Sequence, residues 1–363
     1  MPGPEAPAGG PETPSQPTVS VVLPTLNEGA RLGRCLASIR GQDYPQDRIE
    51  ILVADGGSID DTLDIARSFG CQVIDAAGSL AEAAKGLALQ RATGDLVAMI
   101  DADNTVVDPA WLGRAAGALA RHPEALGFES YYPLDPRDPP LNRYLTGLLQ
   151  ISDPWARAVA SKPRSVDRDA DGSEILELPA DGSYPTGANG FLFRRELLED
   201  LGNAPFHEAT FFPRLIRGGR RRLLKHPRCR VHHAYIRGWG DFYRKKQRVA
   251  MHYLLRREEV SGAWDAELSG PRRWLAMLYC ATVVGPMVEG LLGALRSRRW
   301  EWLLHPVACP VAVIATVVGV ARSRLAGSTA GRRDASRRLK PGQPSSAAPS
   351  SAQESGSGDS RSR

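Results

Sequence analysis

The sequence is short of cysteine: five in 363 residues, at Cys35, Cys71, Cys229, Cys280 and Cys309, with no Cys-x-x-Cys pair. Such scatter excludes a disulfide scaffold and a Cys-built zinc site, and implies reduced thiols used for packing. No leader pattern precedes the first apolar segment, so a cytosolic catalytic part is expected. No DNA- or RNA-binding motif accompanies the net charge of +5, and a nucleic-acid partner is not expected. The positive charge lies in patches instead. Basic residues gather at 214–230, 244–257, 271–273, 296–299 and 322–340. The last three groups flank apolar runs, as at a membrane surface.

Those runs are Trp274 to Leu295, 22 residues with one acid, Glu289, and Trp302 to Ala321, 20 residues with no formal charge. A membrane-spanning helix needs about 20 apolar residues. Arg272, Arg273, Arg296, Arg298, Arg299, Arg322 and Arg324 bracket the two, and Trp274, Trp300 and Trp302 stand where an aromatic belt lies. Two membrane helices are expected across 271–325. Pro286, Pro306 and Pro310 kink them, and the linker is as basic as the flanks. Interfacial or re-entrant helices, or a buried hairpin, are therefore alternatives to a double crossing. Residues 1–17 and 327–363 carry no periodicity and read as disordered tails.

Between the tails, short apolar strands alternate with helical spacing. Val19–Leu23, Ile49–Val53, Cys71–Ile74 and Leu96–Ile100 read as strands. Helices fit 28–40, 62–69 and 81–92. This order implies βαβ units and a parallel sheet. Three strands run straight into polar turns: Thr25-Leu-Asn27-Glu28, Asp55-Gly-Gly-Ser58 and Asp101-Ala-Asp103. Open α/β sheets bind ligands at such carboxyl ends. Residues 133–185 are loop-rich around one amphipathic stretch, 141–149, and read as an insert over a site. Regular structure resumes at Gly190–Phe193 and a helix over 194–201.

The series Val-Val-Leu-Pro-Thr-Leu-Asn-Glu, Val-Ala-Asp-Gly-Gly-Ser-Ile-Asp-Asp-Thr, Ala-Thr-Gly-Asp and Asp-Ala-Asp resembles family 2 glycosyltransferases, in order and spacing, from about residue 19 to 240. The resemblance implies a GT-A fold over 18–255, a Rossmann-like α/β domain with a mostly parallel sheet and flanking helices. It also implies a nucleotide-diphospho-sugar donor, Mg2+ or Mn2+, and inverting hexosyl transfer. Its membrane-bound members suggest a lipid or glycan acceptor, with the catalytic domain on the cytoplasmic face of the cell membrane. A sugar nucleotidyltransferase is the nearest rival, although the 24–28 loop lacks a Gly-rich basic signature. A non-catalytic nucleotide-sugar-binding membrane protein is the rival from another class.

By this resemblance Pro24, Thr25, Asn27 and Glu28 contact nucleoside, Asp55 accepts from the base, and Gly56 lets the backbone approach. Asn27, Glu28, Asp60 or Asp61 as helix caps is the plainer alternative. Lys85 stands where the family often has Arg and can pair with diphosphate, or be a solvated lysine. In Asp101-Ala-Asp103 the two carboxylates read as unequal in role. Asp103 takes the metal, and Asp101 holds ribose or a metal-bound water. His233, in Val231-His-His233, completes the metal shell or is a packed histidine. Asn189, between Gly187 and Gly190, hydrogen-bonds sugar or acceptor. Arg244, Lys245 and Arg248 hold donor or lipid phosphate, or form a solvated face. Counting back from Arg214-Leu-Ile-Arg-Gly-Gly219 lands on His207-Glu208 where the family carries Glu-Asp. Glu208 is the candidate base, with His207 the alternative.

Overall fold

A computed structural model describes residues 16–338 apart from 152, 203, 256–262, 264 and 266–269. The chain divides into one compact unit, Met1–Val320, and a second, Ala321–Arg363. The first is built on a nine-stranded sheet in the order β3-β2-β1-β4-β9-β6-β10-β8-β7. Its strands are β1 (Val19–Thr25), β2 (Ile49–Asp55), β3 (Gln72–Asp75), β4 (Leu96–Met99), β6 (Ala125–Glu129), β7 (Arg164–Arg168), β8 (Glu174–Glu177), β9 (Phe191–Arg194) and β10 (Arg222–Lys225). Pairing directions make β8 and β9 run against the other seven, so the sheet is mixed but mostly parallel. A separate antiparallel ribbon joins β5 (Asn104–Val106) to β11 (Val231–His233).

Both faces of the sheet are covered, which is why its strands read as continuous apolar runs. Every residue of β1 is buried. Alternate residues feed opposite faces: Val19, Val21 and Leu23 join the core under α1 (Gly29–Arg40), α2 (Thr62–Ser68) and α4 (Trp111–Arg121). Val22 joins the other core, under α3 (Ala81–Leu89) and the helix Glu208–Arg217. There Phe191, Phe193, Phe206, Phe211 and Phe212 pack with ring centroids 4.8–6.5 Å apart.

The reversed strand β9 enters the middle of the sheet through two glycines. Gly190 has φ +86°, and a Cβ there would lie 2.6 Å from Val231. Gly187 has φ +105°, and a Cβ would lie 2.0 Å from the Phe212 ring. Only glycine meets both demands.

Several sequence expectations are corrected. The 133–185 insert is more ordered than its loops suggested: β7 and β8 extend the main sheet, and 140–148 is helical, with a π-helical turn at Arg143–Leu148. β7 is fully exposed along its length, so no buried face marked it in the sequence. The first apolar run is not one helix. It breaks between Gly270–Ala281 and Val284–Ser297, bent by 74°. Pro286 falls in the first turn of the second helix, where its missing N–H is harmless. Among the described residues, one helix, Trp300–Leu325, is long and apolar enough to cross a membrane, or two if the bent pair is one span. The side chains of Arg272 and Arg273 lie outside the described residues. The last helix, His305–Arg338, includes 327–338, read above as tail. Once nucleated, a helix gains a bond for each residue it fixes. Residues 1–15 and 339–363 lie outside the described part.

Candidate active site

The carboxyl ends of β1, β2 and β4 form one rim. Asp55, at the end of β2, is buried, and four donors surround its carboxylate: Gly57 N–H (3.0 Å), Ser58 N–H (2.8 Å), Ser58 Oγ (2.5 Å) and Thr25 Oγ1 (3.3 Å). A carboxylate has about four acceptor positions, so Asp55 builds the turn that shapes this end of the rim. Gly56 ties the turn to the first loop, its N–H donating to the Thr25 carbonyl at 2.8 Å. Pro24 is buried within β1, paired with Ala54. Asn27 adopts φ +54° and clamps the two loops: its N–H donates to Ser58 Oγ (2.8 Å), and its Oδ1 accepts from Ile59 N–H (2.9 Å). Glu28 precedes α1 without a side-chain cap and instead binds Arg31, with Nε at 2.8 Å and Nη2 at 2.7 Å. Burial pushes the Glu28 carboxyl up against the pull of Arg31, and the nearby Asp103 charge adds to the rise. Asp61 occupies the N-cap position of α2 without a side-chain cap bond, and Asp60, one residue earlier, accepts from Thr62 N–H at 3.1 Å.

Asp101 and Asp103 face different partners. Asp103 lies 3.5 Å from His233 Nε2 and 3.9 Å from Lys245 Nζ, and accepts from Asn104 Nδ2 at 3.1 Å. Burial opposes its ionisation, but His233 and then Lys245 hold its carboxyl down at about 2. The β5–β11 ribbon makes this meeting possible, because its register sets His233 opposite Asn104. The Ala234 N–H also donates to the Asp103 carbonyl at 3.0 Å. Asp101 turns the other way, 3.5 Å from Lys85 Nζ. Asp101 therefore does not join Asp103 and His233 as a ligand trio. Among the described residues no three His, Cys, Asp or Glu side chains are grouped to hold a metal ion.

Lys85 is not a solvated lysine. Its side chain is 4% exposed, on α3, and meets Glu208 at 2.8 Å, Glu82 at 3.4 Å and Asp101 at 3.5 Å. Burial alone would depress its pKa; the carboxylates, Asp101 foremost, raise it well above the usual value. Glu82 also accepts from the Glu208 N–H at 3.0 Å, which fixes the start of the helix Glu208–Arg217. One ammonium thus serves three carboxylates. Burial, with Glu82 adding to it, pushes Glu208 up to about 8, while Lys85 keeps Glu82 below its usual range despite burial.

Glu208 opens onto a cavity of about 510 Å3 whose wall includes Tyr132, Asn189, Thr186, Arg157, Lys162 and Lys225; His207 is not part of that wall. Asn189, at φ +47°, buries an Oδ1 with no hydrogen-bond partner among the described residues. A buried orphan acceptor calls for a partner, and the cavity is where one can enter. In the helix Trp239–Leu255, Arg244 and Arg248 are exposed, one turn apart on the outer face. Lys245 is the residue that reaches Asp103.

Sequence reasoning passed over Glu82, Arg31, Tyr132 and Arg157. Glu82 had a signal, three residues before Lys85 on one helix. Tyr132 and Arg157 had none.

Residues 20–160 match a family model described as Glycosyl transferase family 2. This stretch belongs to that family. The glycosyltransferase AglE of Haloferax volcanii is 31% identical over 114 residues, 30% of this chain and 37% of that protein. A dolichyl N-acetyl-alpha-D-glucosaminyl phosphate 3-beta-D-2,3-diacetamido-2,3-dideoxy-beta-D-glucuronosyltransferase of Methanococcus voltae is 43% identical over 49 residues, 14% of this chain and 15% of that protein. The chain thus spans well under half the length of these two relatives. The mannosyltransferase PcManGT of Pyrobaculum calidifontis, solved with GDP-Man and Mn2+, is 20% identical and covers 84% of this chain and 88% of its own, with a TM-score of 0.51. The family 2 domain therefore has the GT-A fold, as the motifs led one to expect.

Proposed function

We propose that this chain is a metal-dependent, inverting glycosyltransferase that moves a sugar from a nucleotide-diphospho-sugar to a lipid or glycan acceptor at a membrane. The observation that carries this reading is the divergence of Asp101 and Asp103. Asp103 faces His233 and Lys245, and Asp101 faces Lys85 and, through it, Glu208 and the cavity. PcManGT's complex with GDP-Man and Mn2+ and the family match support a nucleotide sugar and a divalent metal in general terms.

A divalent metal fits the Asp103 side of the rim. Mg2+ and similar ions are held by one or two protein ligands plus substrate phosphates and water, and an ionised Asp103 with the His233 imidazole supplies such a pair. When bound there, the metal offsets the charge of the departing diphosphate. Lys245 adds a cation on the same side, steadied 4.5 Å above the Tyr235 ring. Asp55, Gly56 and the 24–28 loop shape the nucleoside end, and Asn189 offers its unpaired oxygen to sugar or acceptor.

Glu208 is the base, poised at the cavity wall to take the acceptor proton. A base works best with a pKa near the working pH. The charged groups around it are Glu82 and Lys85 from α3 and Asp101 from the rim. Its pKa is raised, so the active, ionised form accumulates as pH rises. The expected kcat/KM for a neutral hydroxyl acceptor climbs with pH, reaches half its limit near pH 8 and levels only above that. Glu208→Gln removes that limb and lowers kcat by about 100-fold or more. A pH-independent wild-type profile would remove Glu208 from the role. Mn2+-dependent hydrolysis of UDP-, GDP- or TDP-sugars tests the wider reading; binding without any turnover would favour a non-catalytic binder.

Membrane association rests on the apolar C-terminal helices, which leave Trp274, Leu278, Val284 and Leu295 between 62% and 76% exposed. Exposed patches of this kind mark membrane or partner surfaces. Trp274→Glu with Leu295→Glu should weaken vesicle co-sedimentation by about tenfold or more, since each buried apolar side chain contributes about 1.5–3 kcal/mol. The melting temperature should hardly move, because neither side chain is part of the core.

A further inference from the structure

Glu289 is the one acid in an apolar run of 22 residues, and an acid in such a helix is a functional candidate by default. It turns inward. Its Oε1 accepts from Arg157 Nη2 at 2.9 Å and Nε at 3.2 Å, its Oε2 accepts from the Tyr279 hydroxyl, and His305 Nε2 lies 3.4 Å away. Arg157 comes from the helix Pro154–Val159 of the insert and stacks 5.2 Å from the Trp302 ring centroid. It is also part of the wall of the 510 Å3 cavity that Glu208 enters. One guanidinium therefore joins the apolar helices to the cavity.

The charges of that wall do not cancel. Lys225 is matched by Glu129 at 2.9 Å, and burial favours the neutral form of Glu208. Arg157 and Lys162 remain, and the acid offsetting Arg157 sits behind it, outside the cavity lining. Glu289 engages two of the five guanidinium N–H donors through a single oxygen. No other hydrogen bond of this side chain occurs among the described residues. The fork that is left suits a phosphate, which arginine binds through paired N–H groups. Beyond Glu289 on the same helix, Val288, Leu291, Leu292 and Leu295 are 42–76% exposed, a surface for an alkyl chain.

We propose that Arg157 is the anion-binding residue of this cavity, that Glu289 is its positioning partner, and that the ligand is an amphiphile with a phosphate head. The inference rests on the reading of the cavity as the acceptor side. It makes the apolar helices part of the binding site rather than only an anchor.

The test is binding to the full chain in neutral-detergent micelles, with dodecyl phosphate, inorganic phosphate and dodecyl maltoside as probes. Dodecyl phosphate should bind at least about tenfold more tightly than inorganic phosphate, from the added apolar burial. Arg157→Ala should weaken it by about tenfold or more, and Arg157→Lys, which keeps charge but not the fork, by about threefold. Glu289→Gln removes a competing anion and should tighten it by about threefold. Opposite signs for the two positions are what a merely structural ion pair does not produce. Equal weakening by Arg157→Ala and Glu289→Gln overturns the proposal. Inorganic phosphate binding as tightly as dodecyl phosphate overturns the amphiphile, and an equal Arg157 dependence for dodecyl maltoside overturns the anion. Mn2+-dependent donor hydrolysis by the wild type is read separately. Its absence, with the opposite-signed binding pattern intact, would sink the glycosyltransferase reading and leave Arg157 in its role.

Discussion

Asp103→Ala lowers metal-dependent transfer by about 1000-fold or more, while Asp101→Asn leaves much of it and moves its pH profile. The first figure follows from the several kcal/mol that charge stabilisation at a leaving group supplies, at about 1.36 kcal/mol per factor of ten. The contrast follows from geometry. Asp103 is held ionised beside His233 and Lys245, so its removal takes the anion from the side of the rim proposed for metal and diphosphate. Asp101 is a counter-charge of Lys85 and one of the groups that raise Glu208. With Asp101 neutral, Glu208 ionises more easily, and the rising limb of kcat/KM shifts to lower pH. Two measurements separate the roles. Nucleoside diphosphate should stabilise wild type and Asp101→Asn against heat more strongly with Mn2+ than without. That Mn2+ increment should vanish in Asp103→Ala. Full activity and an unchanged Mn2+ increment in Asp103→Ala would refute the assignment.

The rim was legible because its signals are local. β1, β2 and β4 are apolar runs ended by Pro, Gly or Asp, and both pattern and punctuation survive in a single sequence. What joins the rim to its partners was not. His233 reaches Asp103 through β5 and β11, two three-residue strands too short to show a period. β10 reads as part of a basic stretch, although Leu223 and Leu224 are buried. In the 239–255 helix the phase was available: Phe242 and Lys246 are buried one turn apart, and Arg244 and Arg248 fall outside. Charge type outweighed phase in naming all three basic residues, and of Arg244, Lys245 and Arg248 it is Lys245 that reaches Asp103. Glu208 was found by counting along a resemblance; nothing in its neighbourhood predicted that Lys85, 123 residues away, would meet it.

That contact changes what Lys85 does. Read from sequence as a cation for diphosphate, it is in the fold the shared counter-ion of Glu82, Asp101 and Glu208, with its own side chain 4% exposed. Lys85→Met therefore removes the one positive charge from a group of three carboxylates. Breaking a buried pair by deleting one partner costs about 3–5 kcal/mol, the loss expected near pH 7.5 by denaturant titration. The pH dependence of that loss has a definite sign. Without Lys85 the buried carboxyls of Glu82 and Glu208 titrate higher in the folded state than in the unfolded one, so the folded variant binds more protons and gains stability as pH falls. The gap to wild type should shrink toward pH 5. In the wild type, Glu82 is held low, and its contribution to stability is instead lost as pH falls. Adding Glu82→Gln to Lys85→Met removes one uncompensated carboxylate and should return about 1–3 kcal/mol, the range of coupling between residues in one network. A loss under about 1 kcal/mol at pH 7.5 is the size of an exposed ion pair and would refute the shared counter-ion. So would a gap that widens on acidification, because both outcomes require the carboxylates to be served by water rather than by Lys85.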